Sequence, residues 1–126
     1  MLTRRSTDHG RSFSPARRLL GDARGSAVYR NPYATFDESS SRLLLNFVNT
    51  TNCSRTDPCF GRWTSLQMHS DTDGTGAWSS PTSVRWQSPT AGQQLRGDGS
   101  LMGPGHGVQL QHGAHKGRLV MCGSDS

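Results

Sequence analysis

Apolar and polar residues alternate along this chain in short runs separated by clusters of Gly, Ser, Pro and Asp. Period-two runs of roughly four to eight residues bounded by turn formers predict β-strands. Tyr33 to Asp37 reads as a strand and Glu38-Ser39-Ser40-Ser41 as a four-residue turn. Arg42 to Asn49 is the returning strand, with Leu43, Leu45 and Phe47 on one face. Arg62 to His69 alternates next, placing Trp63, Ser65 and Gln67 on one face and Thr64, Leu66 and Met68 on the other. Val108 to Gln111 and Arg118 to Cys122 predict a second hairpin around the polar segment His112 to Gly117. Ser88 to Ser100 has no period and reads as a surface loop. No window of about ten residues keeps an apolar 3.6-residue stripe, which excludes a helical bundle. The expectation is an all-β, antiparallel architecture.

One pattern recurs. Ser6-Thr7-Asp8-His9-Gly10-Arg11-Ser12-Phe13-Ser14-Pro15 is echoed by the segment from Ser70 through Gly74 and Trp78 to Pro81. Both run Ser, acid, Gly, then an aromatic followed by Ser and Pro. A repeat at this separation points to an array of similar units. The physical reading is a hairpin turn in which Asp accepts backbone N–H bonds and Gly supplies a positive φ. The aromatic is then expected to tuck beneath the turn and plug the apolar layer. In the second copy an extra residue separates Gly74 from Trp78, and Thr72 or Asp73 must stand for the turn acid.

Composition tempers this picture. Leu, Val and Phe (Ile is absent) make up 20 of the 126 residues, below the roughly one-fifth at which a charged chain begins to look disordered. The chain also carries 15 Gly, 6 Pro and 17 Ser, so turns are frequent. Its length suits a single domain at most. The net charge is +5, yet 13 of the 14 basic residues are Arg and they are scattered, with Arg4–Arg5 and Arg17–Arg18 the only doublets. Nucleic-acid binders cluster their basic side chains on one face, so no nucleic-acid partner is expected. The strongest uncharged apolar run is Leu43 to Val48, far short of the about 20 residues a membrane helix needs. No apolar signal segment follows Met1.

Cys53 and Cys59 flank a tight polar segment and can close a loop disulfide, while Cys122 lies in an apolar run and reads as a buried thiol. Asn49-Thr50-Thr51 and Asn52-Cys53-Ser54 have the form of glycosylation acceptors. Together these lean towards an oxidising compartment, lysosomal or secretory, without excluding the cytoplasm.

The motifs resemble those of the sialidase (neuraminidase) family. Ser6 to Phe13 matches the Asp box, Ser/Thr-x-Asp-x-Gly-x-x-aromatic, at every defined position, and Ser70 to Trp78 is similar to a second, degenerate box. Arg30-Asn31-Pro32 before Tyr33 to Asp37 resembles the family's Asn-Pro-x-Pro-x-x-Asp strand, without the second Pro. Met102 to Leu110 followed by Gly117-Arg118-Leu119-Val120 resembles the family's Gly-Pro-Gly-His-Gly-Ile-Gln-Leu and Gly-Arg-Leu-Val hairpin. The resemblance implies a six-bladed β-propeller. At roughly 40–50 residues per blade, the chain would supply about two to three blades. Residues 1–126 are thus expected to be a partial sialidase catalytic domain, with boxes at 6–13 and 70–78.

For function, the resemblance implies an exo-alpha-sialidase that removes terminal sialic acid from glycoproteins, oligosaccharides or gangliosides without a cofactor. Such enzymes hold the substrate carboxylate with three arginines, attack with a Glu-activated Tyr and use an Asp as acid/base; the Tyr nucleophile is an exception among glycosidases. By the family's motif order these groups fall outside this chain, so no catalytic residue is expected here. The only Glu, Glu38, sits in the predicted hairpin turn. By resemblance, Asn31 is the expected substrate contact, towards sugar hydroxyl or N-acetyl groups, with Arg30 beside it. Read from the residues alone, Asn31 can equally cap a turn before Pro32. The alternative function is a non-catalytic Asp-box propeller that binds carbohydrate or protein.

Other features carry less. His106, His112 and His115 lack the spacing of a zinc site. Gly103 to Gly107 lacks the Lys-Ser/Thr and following helix of a phosphate loop. Trp63, Trp78 and Trp86 read as core plugs between sheets and not as a sugar platform.

Overall fold

The alternation of Arg42 to Asn49 does become the centre of the molecule. The computed structural model describes residues 1–21, 27–51, 63–72, 74–84, 101–102 and 105–124. In chain order its strands are β1 Leu2–Thr3, β2 Arg17–Arg18, β3 Ala27–Asp37, β4 Arg42–Thr51, β5 Trp63–Ser70, β6 Thr82–Ser83, β7 Leu101–Met102, β8 Gly105–His106, β9 Val108–Gln109, β10 Leu119–Val120 and β11 Gly123–Ser124. The described residues contain no helix, and none is long and apolar enough to cross a membrane. The fold is all-β, and no sheet closes on itself among the described residues.

Strands β3 to β6 form an antiparallel meander, and β8 adds to β3 in parallel, giving the order β6-β5-β4-β3-β8. Residues paired across strands share a face. One face therefore carries Leu45 and Phe47 of β4, Leu66 and Met68 of β5, and Tyr29 and Ala34 of β3. The Tyr29 ring meets Phe47 edge-on, with centroids 5.6 Å apart. Met1, Leu19 and Leu20 of the first hairpin and Trp78 of the second turn pack over this face.

The opposite face is buried but largely polar. Tyr33, Thr35, Asn46, Thr50 and Ser65 are all enclosed there beside Val48. Gln67 donates to Asn46 Oδ1 at 2.9 Å, and Asn46 Nδ2 donates to the Met121 sulfur. The backbone N–H of Cys122 donates to the Tyr33 hydroxyl. Gly107 N–H donates to the Ala34 carbonyl at 3.0 Å, bringing its backbone against Thr35. A side chain at Gly107 would overlap Thr35 Oγ1 and come within 2.9 Å of Met121 Cγ. The central sheet is thus sandwiched between a hairpin before it and a hairpin after it.

The two repeated turns share one hydrogen-bond scheme. Gly10 and Gly74 have φ of 84° and 85°. The Asp8 carbonyl accepts from Arg11 N–H, and the Thr72 carbonyl from Thr75 N–H. Counted from Ser70 and Gly74, Thr72 therefore stands where Asp8 does; Asp73 lies outside the described residues. Each turn is closed by the serine after its aromatic. Ser14 N–H donates to the Arg5 carbonyl while Arg5 N–H donates to Ser14 Oγ, and Ser79 and His69 repeat both bonds. The additional residue of the second turn falls between Thr75 and Trp78. There Gly76 lies so close to Thr72 that a Cβ would overlap its hydroxyl.

Two sequence expectations are corrected here. Trp78 packs on the core as expected, but Phe13 is 59% exposed. The reason is that the first turn caps only the two-stranded β1–β2 hairpin, and Phe13 is not among the side chains that pack on the core of the central sheet. Cys122 is exposed and not buried: beyond β10 the side chains alternate, so Met121 turns towards Asn46 and Cys122 away. The predicted hairpins are present, although β3 begins at Ala27, six residues earlier than expected. Asn49-Thr50-Thr51 lies inside β4, with Asn49 half-buried and Thr50 enclosed. Cys53, Cys59, Asn52, Trp86 and the 88–100 segment lie outside the described residues.

Two outcomes follow from this packing. Gly107→Ala should lower the urea midpoint by an amount worth about 1–3 kcal/mol, the usual cost of overpacking; an unchanged midpoint would show that the approach to Thr35 is loose. Asp8 is held at a pKa of about 2, below the ordinary 3.8, chiefly by the Ser12 hydroxyl and then by Ser6. A depressed carboxylate stabilises fully above its unfolded pKa and loses that contribution as pH falls through the folded value. The turn should therefore weaken between about pH 4 and pH 2. Asp8→Asn should flatten that part of an acid-unfolding curve followed by circular dichroism.

Candidate substrate-contact site

The candidate residues Arg30 and Asn31 meet at an irregularity in β3. The pairing runs Arg30 opposite Val48 and then Tyr33 opposite Asn46, so Asn31 and Pro32 together face the single residue Phe47. This is a β-bulge. Asn31 has φ of 51°, a left-handed conformation that Asn tolerates better than most residues. Pro32 has no N–H to offer the ladder, and a bulge is where a strand accommodates that loss. The sequence Asn-Pro thus builds the bulge directly. The turn-cap reading of Asn31 is replaced by a bulge within one continuous strand.

Asn31 is half-buried and Arg30 exposed. Neither side chain has a hydrogen-bond or ion-pair partner among the described residues, so both remain available to a ligand. The groups nearby have structural work. Tyr33 is buried with its hydroxyl bonded to Cys122 N–H, and Tyr29 is packed on Phe47. Glu38 is exposed in the β3–β4 turn, roughly 20 Å along the strand from Asn31 at about 3.3 Å per residue. Neither of these tyrosines has a glutamate beside it.

The acidic side chains with perturbed titration are turn builders and not proton donors. Asp37 is held well below the usual carboxylate range, first by the Ser39 hydroxyl, then by Ser40, with Gln109 contributing. A general acid needs the opposite shift, towards the working pH. Among the described residues no group of three His, Cys, Asp or Glu side chains is placed to hold a metal ion.

Sequence reasoning missed Gln109. Its Nε2 donates to Asp37 Oδ1 at 2.8 Å and to the Gly117 carbonyl at 2.9 Å, while its Oε1 accepts from Glu38 N–H at 3.0 Å. One amide ties the β9–β10 hairpin to the β3–β4 turn. The sequence offered its place in the Gly103 to Leu110 segment, a polar residue between Val108 and Leu110, but nothing that named its partners. A second missed feature is an open cleft of about 390 Å³ between the first hairpin and the second turn.

No family model and no curated protein matches the chain. Among solved structures it is similar to a Hadza microbial sialidase, Hz136, with a TM-score of 0.62 and 21% identity. The likeness covers 86% of this chain and 23% of that chain. At this identity it shows the fold: a sialidase-like all-β arrangement.

The bulge makes a prediction of its own. Asn31→Ala should lower stability by about 1–2 kcal/mol, since Ala resists a left-handed φ. Asn31→Gly should stay near the original urea midpoint. Equal losses for both would mean that the Asn31 side chain, and not the backbone, holds the bulge.

Proposed function

We propose that the chain is about two to three blades of a six-bladed, sialidase-type propeller within an exo-alpha-sialidase. Its substrates would be sialylated glycoproteins, oligosaccharides or gangliosides, and the reaction hydrolysis of terminal sialic acid. The observation that carries this reading is the ordered set of motifs lying on a chain with a sialidase-like fold. The Ser6–Phe13 turn, the Asn31-Pro32 bulge, the Ser70–Trp78 turn and the Gly107–Gln109 segment each have a definite structural task. The exposed Leu2, Phe13, Val108 and Val120 support it too, because each would be covered by a neighbouring blade. Residues 1–126 then form part of a catalytic domain, with Asp boxes at 6–13 and 70–78.

In this reading Asn31 offers its amide to a sugar hydroxyl or N-acetyl group, and Arg30 stands beside it. The bulge positions both by lifting Asn31 out of the regular ladder. Proton transfer and nucleophilic attack are assigned to residues outside this chain, and no cofactor is involved. A non-catalytic propeller that binds carbohydrate or protein is the second reading.

Two measurements test the proposal. The 126-residue chain alone should release no fluorophore from a fluorogenic sialoside; clear turnover overturns the assignment of catalysis to other residues. In a longer protein carrying this segment, Asn31→Gly, which preserves the bulge, should raise KM for a sialoside about tenfold, as for loss of a buried hydrogen bond. An unchanged KM removes Asn31 from the substrate contact. If the flanking coding sequence holds none of the family's carboxylate-binding arginines, its acid/base Asp or its Tyr and Glu, the binding-module reading replaces the enzyme.

A further inference from the structure

The charge of the chain is not spread evenly over the fold. Residues 4–18 hold Arg4, Arg5, Arg11, Arg17 and Arg18 against the single acid Asp8, a net charge of +4 where the whole chain carries +5. Residues 27–51 and 63–72, which contain β3, β4 and β5, hold Arg30 and Arg42 against Asp37, Glu38 and Asp71. Arginines that look scattered along the sequence therefore load one short element and leave the central sheet close to balance.

That element is an arm. Strands β1 and β2 pair only with each other among the described residues, and Met1, Leu19 and Leu20 hold the base of the hairpin on the core. Every residue from Arg4 to Arg18 is exposed except Ser6 and Asp8, which are half-buried within the turn. The Asp8 carboxylate is taken up by Ser6 and Ser12. No arginine side chain of the arm has a hydrogen-bond or ion-pair partner among the described residues. The five guanidinium groups also do not converge. Arg17 lies opposite Thr3 and Arg18 opposite Leu2, so the two point to opposite faces of the hairpin, and Arg11 sits in the turn. A duplex groove or a single bound anion calls for basic groups gathered on one face. A layer of anionic headgroups makes no such demand, because it meets charge on every side of an arm that enters it.

We propose that the first hairpin docks on an anionic lipid surface, with its arginines against headgroup phosphates and carboxylates. The guanidinium fork suits both groups. Because the arginines are solvated and act through charge, the docking is reversible and weakened by salt. It involves neither Arg30 nor Asn31, so it stands apart from the assignment of a substrate contact. Cover of Phe13 by a neighbouring blade would leave the arginines outside, since an unpaired guanidinium is not buried in an apolar contact.

Co-sedimentation of the full 126-residue chain with vesicles tests the proposal. Phosphatidylcholine vesicles containing about one-third phosphatidylserine should retain the chain at about 0.1 M salt, and pure phosphatidylcholine vesicles should not. Raising the salt to about 0.5 M should weaken binding at least about tenfold. Arg5→Gln/Arg11→Gln should also bind at least about tenfold more weakly, at about fivefold per arginine. Lys116→Gln/Arg118→Gln removes the same charge from the hairpin on the other side of the sheet and should bind within about twofold of the original. All four positions are exposed, and retained dispersion of the amide spectrum identifies a folded variant. No binding to the anionic vesicles, equal binding to the neutral ones, indifference to salt, or equal losses in the two double variants would each overturn the proposal. Duplex DNA at the same concentration of negative charge should bind more weakly than the anionic vesicles; tighter binding would make the arm a nucleic-acid surface and overturn it as well.

Discussion

The architecture depends on one inserted residue. Side chains on a strand alternate with a period of two, so a shift of one position sends every following side chain to the other face. Tyr29 and Ala34 have opposite parity, yet both lie on the apolar face of the central sheet. The bulge at Asn31 and Pro32 makes this possible by matching two residues of β3 to Phe47 alone. Tyr33 and Thr35 are thereby sent to the polar face, where they meet the backbone of Cys122 and Gly107. The same irregularity that sets the packing also places Asn31 where its amide is unused.

The two faces of the sheet are stabilised differently. On one, Leu45, Phe47 and Met68 bury apolar surface beneath the first hairpin and Trp78. That core is small, so truncating Phe47 to Ala, a change that costs about 3–5 kcal/mol in ordinary cores, would remove much of what a domain this size possesses. On the other face, specificity comes from close backbone approach and paired amides: Gly107 on Thr35, Gln67 on Asn46, and Gln109 on Asp37. The surface pair of Arg42 with Asp71 at 2.7 Å adds little, because both partners are solvated.

Much of this was legible in the sequence, for reasons that vary by element. The β3–β4 hairpin and the facing of β5 were readable because one face is apolar and the other largely polar, so the side chains alternate in character. The Gly10 and Gly74 turns were readable because a positive φ leaves few choices of residue. The early start of β3 was hidden by Asn-Pro, which looks like a strand boundary unless a bulge is considered. Phe13 could not be placed from its motif, since an aromatic plugs a layer only where a layer exists below it. Thr72 was ambiguous against Asp73 until the shared hydrogen bonds fixed the count from Ser70 and Gly74. The clamp at Gln109 and the cleft beside Trp78 depend on contacts between distant hairpins, and no local pattern announces those.

The all-β fold is similar to that of a sialidase, and the packing of its central sheet rests on β3 being set by its bulge. Nuclear Overhauser contacts in the labelled chain test that point most directly. The account predicts contacts from the Tyr29 ring to Phe47 and from the Ala34 methyl to Leu45 and Met68, with the Tyr33 ring near the Cys122 amide. Contacts placing Tyr29 and Ala34 on opposite faces of the sheet, as an unbulged strand requires, would contradict it.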